Sequence, residues 1–277
     1  MIAPGDHVIS ICPTYQQHYS IPESFGAKLD ILWLRPENDF LPDLKELERM
    51  LRPNTKLVVL NNPNNPTGAL LMGANLEEFV AVVRTSGAYI LCDEVYRGTN
   101  QVGNGFAPGM ADIYEKGISV SSMSKVFSLA GIRLGWIAAP REVLEAVSIR
   151  RDYNTISVGM IDDYFASLAL ENKEQIIGRS QKITRGNLKI LDDWVSKEDS
   201  ISYKKPQAGT TALLKYDFDM SSREFCIQLL RETGVMFTPG SVMEMEGWLR
   251  IGYANSPEVL SQGLDLVSNF LSQMGSK

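Results

Sequence analysis

The sequence predicts an α/β fold: a three-layer αβα domain around a mainly parallel sheet, followed by a smaller C-terminal α+β domain. Two observations predict it. Through the first half, short β-rich runs that are apolar on both faces alternate with amphipathic stretches, the pattern of parallel strands covered by helices on both sides. The last third instead mixes strands and helices without that alternation.

Residues 7–12 and 28–34 read as the first strands. Residues 42–51 read as a helix, because Leu44, Leu47 and Leu51 recur at helical spacing. Residues 56–61 (KLVVLN) have a buried-strand pattern that ends in a turn. A helix at 76–84 and a strand at 88–92 (AYILC) follow, and residues 118–121 and 134–138 add two more strands. From Arg141 the pattern is helical through Val195. Residues 172–195 are expected to form one long helix linking two domains, although Gly178 and Gly186 lower its intrinsic propensity. Residues 211–216, 235–237 and 248–253 read as strands. Ser221 with Glu224 forms a capping-box pattern opening a helix to Arg231, and Ser256-Pro257 opens the final helix with proline at its first position. The expected domains are residues 1–171 and 172–277.

The net charge of −6 argues against a nucleic-acid partner. No apolar run is long enough to span a membrane. Met1-Ile2-Ala3-Pro4-Gly5-Asp6 lacks the basic start and apolar core of a signal peptide. Cys12, Cys92 and Cys226 are far apart, odd in number and set in apolar runs, which reads as buried free thiols in a reducing compartment. A cytoplasmic location is therefore expected. With only His7 and His18, and no cysteine pair at metal spacing, a structural zinc site is not expected and Ser-His catalysis has few candidates.

Polar chemistry concentrates where strands end. KLVVLN runs into Asn61-Asn62-Pro63-Asn64-Asn65-Pro66-Thr67-Gly68, AYILC into Asp93-Glu94-Val95-Tyr96, and ISVSS into Ser122-Met123-Ser124-Lys125. Singly, each has a plain structural reading. Asn-Pro-Thr-Gly makes a tight turn; Asp93-Glu94 caps a helix; Lys125 is a surface lysine; Arg133 is an ion-pair partner; Tyr15 is a core aromatic. If the three strands are parallel neighbours, their carboxyl ends bring Asn65, Asp93, Tyr96, Ser122 and Lys125 to one crevice, where such sheets bind ligands. In residues 122–135 one lysine sits among small hydroxyl residues, with Arg133 eight positions later and Gly131 and Gly135 nearby. That arrangement suits a lysine that forms an imine with an aldehyde cofactor, beside groups that hold an anion.

In these residues the chain resembles the class I/II family of pyridoxal-phosphate-dependent aminotransferases, with the aspartate aminotransferase type of fold (PLP fold type I). Residues 122–135 match the family's whole lysine-attachment pattern, and Asn65-Pro66-Thr67-Gly68 and Asp93-Glu94-Val95-Tyr96 stand in the expected order. The resemblance implies pyridoxal 5'-phosphate as cofactor, with Lys125 forming the internal aldimine and acting as the proton carrier. It implies that Asp93 faces the pyridine nitrogen and keeps it protonated. Tyr96 and Asn65 would hydrogen-bond the cofactor's 3'-oxygen, and Ser122, Arg133 and Ser124 would hold its phosphate. Tyr15 would stack on the pyridine face, and Arg250 would grip the substrate α-carboxylate with its planar fork.

The implied reaction is ping-pong transfer of an amino group between an α-amino acid and a 2-oxo acid, in a homodimer. Lyases, decarboxylases and cyclising enzymes of the same fold, or a non-catalytic scaffold, are the alternatives. Family members run longer at the N-terminus. There the resemblance expects a first sheet strand, a dimer-embracing arm and a small-residue loop that binds phosphate at a helix N-terminus, and it implies weak activity for these 277 residues alone. Asp162-Asp163 on a helix reads either as selection of a basic substrate or as helix N-terminal charge.

Overall fold

The computed structural model describes residues 2–274, and the strands among them form two sheets. The larger contains β1 (His7–Cys12), β2 (Lys28–Trp33), β3 (Thr55–Asn61), β4 (Tyr89–Asp93), β5 (Gly117–Ser122) and β6 (Gly135–Ala138), in the spatial order β2-β1-β3-β4-β5-β6. Every neighbouring pair is parallel except β5 with β6. The connections carry α1 (Gln17–Ser24), α2 (Leu44–Met50), α3 (Ala74–Arg84) and α4 (Met110–Ile113), as parallel pairing requires a crossover between strands.

Strand alternation sends Ile9, Ile11, Val58, Leu60 and Ile90 to one face, where they pack with Leu47 of α2, Phe79 and Val83 of α3 and Met110 of α4. Each such side chain contributes about 1.5–3 kcal/mol when fully buried. Val8, Leu57 and Val59 face the other way, with Tyr89 and Leu91 beside them. On that side the Tyr89 hydroxyl donates to Glu142 (3.1 Å) of α5 (Arg141–Arg151), giving the third layer.

After α5 come α6 (Met160–Glu171) and α7 (Lys173–Val195). The helical pattern from Arg141 is thus interrupted at residues 152–159 and at Asn172, whereas α7 passes unbroken through Gly178 and Gly186. Ile177, Ser180, Thr184, Leu188, Leu191 and Trp194 form a buried stripe along it. Packing of that stripe outweighs the cost of each glycine, about 1 kcal/mol.

The second sheet holds β7 (Ile201–Tyr203), β8 (Thr211–Tyr216), β9 (Thr238–Pro239) and β10 (Trp248–Gly252), in the antiparallel order β7-β8-β10-β9. Ala212, Leu214, Leu249 and Ile251 pack with Leu188 and Leu191 of α7, Phe225 of α8 (Ser222–Thr233) and Val267 of α9 (Pro257–Met274). The opposite face sends Leu213 and Trp248 into the core of the larger sheet. Arg250, opposite Leu213 in the register, belongs to that face. Ser221 caps α8 by accepting from the Glu224 amide (3.2 Å), as its sequence pattern predicts.

Two further expectations change. Residues 235–237 are not a strand: Phe237 plugs the second core instead, and the paired residues are Thr238 and Pro239. β6 is not buried on both faces, because it is the antiparallel edge of the sheet and all four of its residues are exposed. The helix α1 has no counterpart in the sequence reading, since it contains Pro22 and buries only that residue.

Candidate active site

Register brings the candidate residues together. Asn61 at the end of β3 lies beside Asp93 at the end of β4, and Asp93 lies beside Val120 of β5. The loops after these parallel strands therefore leave one end of the sheet side by side. Ser122 pairs with Gly135, which sets the turn containing Arg133 against the end of β5.

The asparagine run after β3 replaces ladder hydrogen bonds with side-chain ones. Asn62 is bonded both ways to Leu71, its Nδ2 donating to the carbonyl (2.8 Å) and its Oδ1 accepting from the amide (2.9 Å). Asn64 Oδ1 accepts from the Thr67 amide and hydroxyl. Asn61 Oδ1 accepts from the Asn65 amide (2.7 Å) while its Nδ2 donates to the Asp93 carbonyl (2.8 Å). One buried side chain thereby ties the backbones of Asn65 and Asp93. Buried polar groups of this kind are costly unless satisfied, so this turn holds a single geometry.

Asp93 presents its carboxylate at the strand end. Oδ1 accepts from the Val95 amide (3.1 Å), and Oδ2 lies 3.2 Å from His18 Nε2. The other His18 nitrogen lies 2.9 Å from Thr14 Oγ1. Tyr96 is buried near the Thr210 side chain and lies within electrostatic reach of Arg250, Asp93 and Tyr15. Burial pushes its phenol pKa up, and the Arg250 charge opposes that shift. The phenol therefore stays protonated and can donate near neutral pH.

Arg250 reaches this cluster from the second sheet. Its Nη1 donates to Asn65 Oδ1 (3.4 Å) and its Nη2 to Thr238 Oγ1 (3.1 Å). Thr211 Oγ1 lies 3.5 Å from the same Asn65 oxygen. Asn65, Asp93, Tyr96, Tyr15 and Arg250 are thus brought together. Tyr15 is 55% exposed and meets His18 edge-on.

Lys125 is exposed and lines a cavity of about 350 Å³ with Thr99, Ser128 and Thr210. Thr210 also lies near the Tyr96 phenol, so this cavity adjoins the Tyr96 side of the cluster. The Ser124 amide donates to Ser122 Oγ (3.2 Å). Arg133 adopts φ +49 and donates to the Ala130 carbonyl (2.6 Å) within its own turn. Asp162 and Asp163 sit in the first turn of α6, where carboxylates suit the helix dipole.

This donor set suits a phosphorylated pyridine aldehyde. It offers an accessible amine, a strand-end carboxylate held by a histidine, a protonated phenol, an amide, hydroxyls at the end of β5, and a guanidinium on the turn that follows. Sequence reasoning missed His18, Thr14, Thr210 and Thr238. The signal for His18 was its place three residues after Tyr15, and α1 carries it to Asp93.

The family profile described as aminotransferase class I and II matches residues 1–265. A capreomycidine synthase from Streptomyces vinaceus is 30% identical over 267 residues, which cover 96% of this chain and 68% of that protein. An aspartate aminotransferase from Thermotoga maritima is 28% identical, with 98% and 71% covered. Among solved structures, a PLP-dependent aminotransferase from Streptococcus suis superposes with a TM-score of 0.95 at 45% identity, covering 99% of this chain and 72% of that one. The chain therefore belongs to the class I and II aminotransferases, enzymes that transfer amino groups with pyridoxal 5'-phosphate.

Proposed function

We propose that Lys125 is the residue to which pyridoxal 5'-phosphate attaches, and that this site moves an amino group between an α-amino acid and a 2-oxo acid. The observation that carries the reading is the meeting of Asn65, Asp93 and Tyr96 from adjacent parallel strand ends with Arg250 from the second sheet. When bound, the cofactor supplies an electron sink that acidifies the substrate α-carbon.

The chain's own residues supply the rest. Lys125 Nζ carries the proton taken from the substrate α-carbon. Asp93, oriented by His18 and the Val95 amide, offers a negative charge to a protonated ring nitrogen. Tyr96 and Asn65 donate to the ring oxygen. Ser122, Ser124 and Arg133 supply hydroxyls and a cation for the phosphate. Tyr15 offers an exposed aromatic side chain, and Arg250 a fork for the α-carboxylate.

The domain division we favour is 1–171 and 172–277, with the boundary where α6 gives way to α7. A homodimer is supported by the exposed apolar face of residues 153–165, where Tyr153 is 90% and Met160 89% exposed. Patches of that kind mark interaction surfaces. A cytoplasmic location is supported by three buried free cysteines; among the described residues no helix is long and apolar enough to cross a membrane.

Adding cofactor and recording the visible absorbance of a lysine-bound aldehyde tests the assignment. Lys125→Ala is expected to abolish that band and single-turnover transfer together. A band of full strength in the variant would refute it.

A further inference from the structure

We propose that Thr238 is a positioning residue for substrate recognition. By accepting from Arg250 Nη2, it sets the plane in which the Arg250 fork meets a carboxylate. The inference rests on the reading that Arg250 grips the substrate carboxylate, and it goes beyond that reading by naming what aims the fork.

The guanidinium is held at both terminal nitrogens, by Thr238 Oγ1 at 3.1 Å and Asn65 Oδ1 at 3.4 Å. The two contacts come from different parts of the chain. Thr238 is the direct cross-strand partner of Arg250 on β9, whereas Asn65 belongs to the loop after β3. Two fixed acceptors stop rotation about a long, rotamer-rich side chain and leave the remaining N–H groups of the planar fork for an incoming anion. Ordering such a side chain before binding removes a cost that binding would otherwise carry.

The strand that holds Thr238 has little freedom of its own. Phe237 is buried in the second core. One residue past Pro239, Gly240 lies so close to the Met245 and Trp248 carbonyls that a Cβ there would overlap both. The hydroxyl is thus presented from a rigid position, as a precise site requires. A β-branched residue also suits a strand by shape alone, so the test must separate shape from hydrogen bonding. Thr238→Val keeps the shape and removes the acceptor. Thr238→Ser keeps the acceptor and removes the methyl group.

The primary measurement is calorimetric binding of propionate, a plain monocarboxylate, to the purified protein. Thr238→Val is expected to weaken binding about fivefold, the effect of losing one modest hydrogen bond, while Thr238→Ser stays within about twofold of the parent. In turnover, Thr238→Val should raise KM for amino acids by a similar factor with kcat kept. It should leave the reaction of a primary amine lacking a carboxylate unchanged. Propionate binding unaltered in Thr238→Val, or equally weakened in Thr238→Ser, overturns the proposal. Arg250→Gln separates the two levels. If it binds propionate normally, the reading of Arg250 itself falls. If it loses binding while Thr238→Val does not, only the role of Thr238 falls.

Discussion

His18 Nε2 lies 3.2 Å from Asp93 Oδ2, and its second ring nitrogen lies 2.9 Å from Thr14 Oγ1. A histidine has one hydrogen-bonding direction at each nitrogen, so the threonine hydroxyl and the carboxylate together fix the ring plane. Asp93 then keeps one rotamer at the mouth of the site. Replacing His18 with Ala leaves the carboxylate with the Val95 amide alone. A hydrogen bond to a charged group contributes about 1.5–3 kcal/mol, so His18→Ala should weaken cofactor binding by about ten- to a hundredfold. Spectrophotometric titration with pyridoxal 5'-phosphate measures this directly, and affinity equal to the parent would contradict it.

Gly68 closes the asparagine turn in the left-handed region, at φ +71. A Cβ at this position would stand 2.5 Å from Pro206 Cβ and 3.0 Å from the Ala208 carbonyl oxygen. The Gly68 carbonyl also accepts from the Gln207 and Ala208 amides, so the neighbouring segment cannot easily withdraw. Gly68→Ala combines an unfavourable backbone conformation with overpacking, and should cost about 1–3 kcal/mol. The urea midpoint is expected to fall. KM should rise as well, because the displaced turn carries Asn65 and with it one anchor of Arg250.

Most of this architecture was legible because it is written in local pattern. KLVVLN and AYILC are apolar on both faces, which only central parallel strands require, and their polar ends mark the site. What stayed hidden depends on register between distant segments. Thr238 follows directly after the expected strand at 235–237, yet the pairing with Arg250 starts only there, because Phe237 turns into the core. His18 lies on a helix that buries only Pro22, so no apolar period announced it. β6 reads as a buried strand because Trp136 and Ile137 are apolar, but pattern alone does not say that a strand lies at an edge.

His7 gives the fold an acid sensitivity remote from the site. It is fully buried, with Nδ1 2.8 Å from Thr55 Oγ1 and Nε2 3.1 Å from Asp30 Oδ2. Burial lowers its pKa below the usual 6.5, and the Arg52 charge adds to this, while Asp30 opposes. Below pH 6.5 the unfolded chain takes up a proton that the folded chain still refuses. This group's contribution is therefore complete above that pH and is lost as pH falls toward the depressed folded value. His7→Gln removes the titration. The stability difference between parent and variant should shrink from pH 7.5 to pH 5.5 in urea denaturation, and a difference independent of pH would show that His7 does not titrate on unfolding.

Glu94 has the opposite sign. It follows Asp93 directly, is buried, and accepts from the Met110 amide and the Ser119 hydroxyl through one oxygen, both at 2.7 Å. Burial raises its pKa above the usual 4.5, with these two bonds and Arg97 opposing. Between the unfolded and folded values the folded chain holds the extra proton. The contribution of Glu94 is therefore complete below pH 4.5 and is lost as pH rises through the folded value. A Glu94→Gln side chain keeps an oxygen for Met110 and Ser119 while remaining neutral. Relative to the parent, it should gain stability as pH rises from 4.5 through the raised folded value and level off above it. Glu94→Ala should lose stability across the same range, because it strands the Met110 amide and the Ser119 hydroxyl in a buried setting. Urea midpoints at several pH values separate the two variants. A Gln variant that tracks the Ala variant would mean that the charge itself, held by Arg97, is what the fold uses.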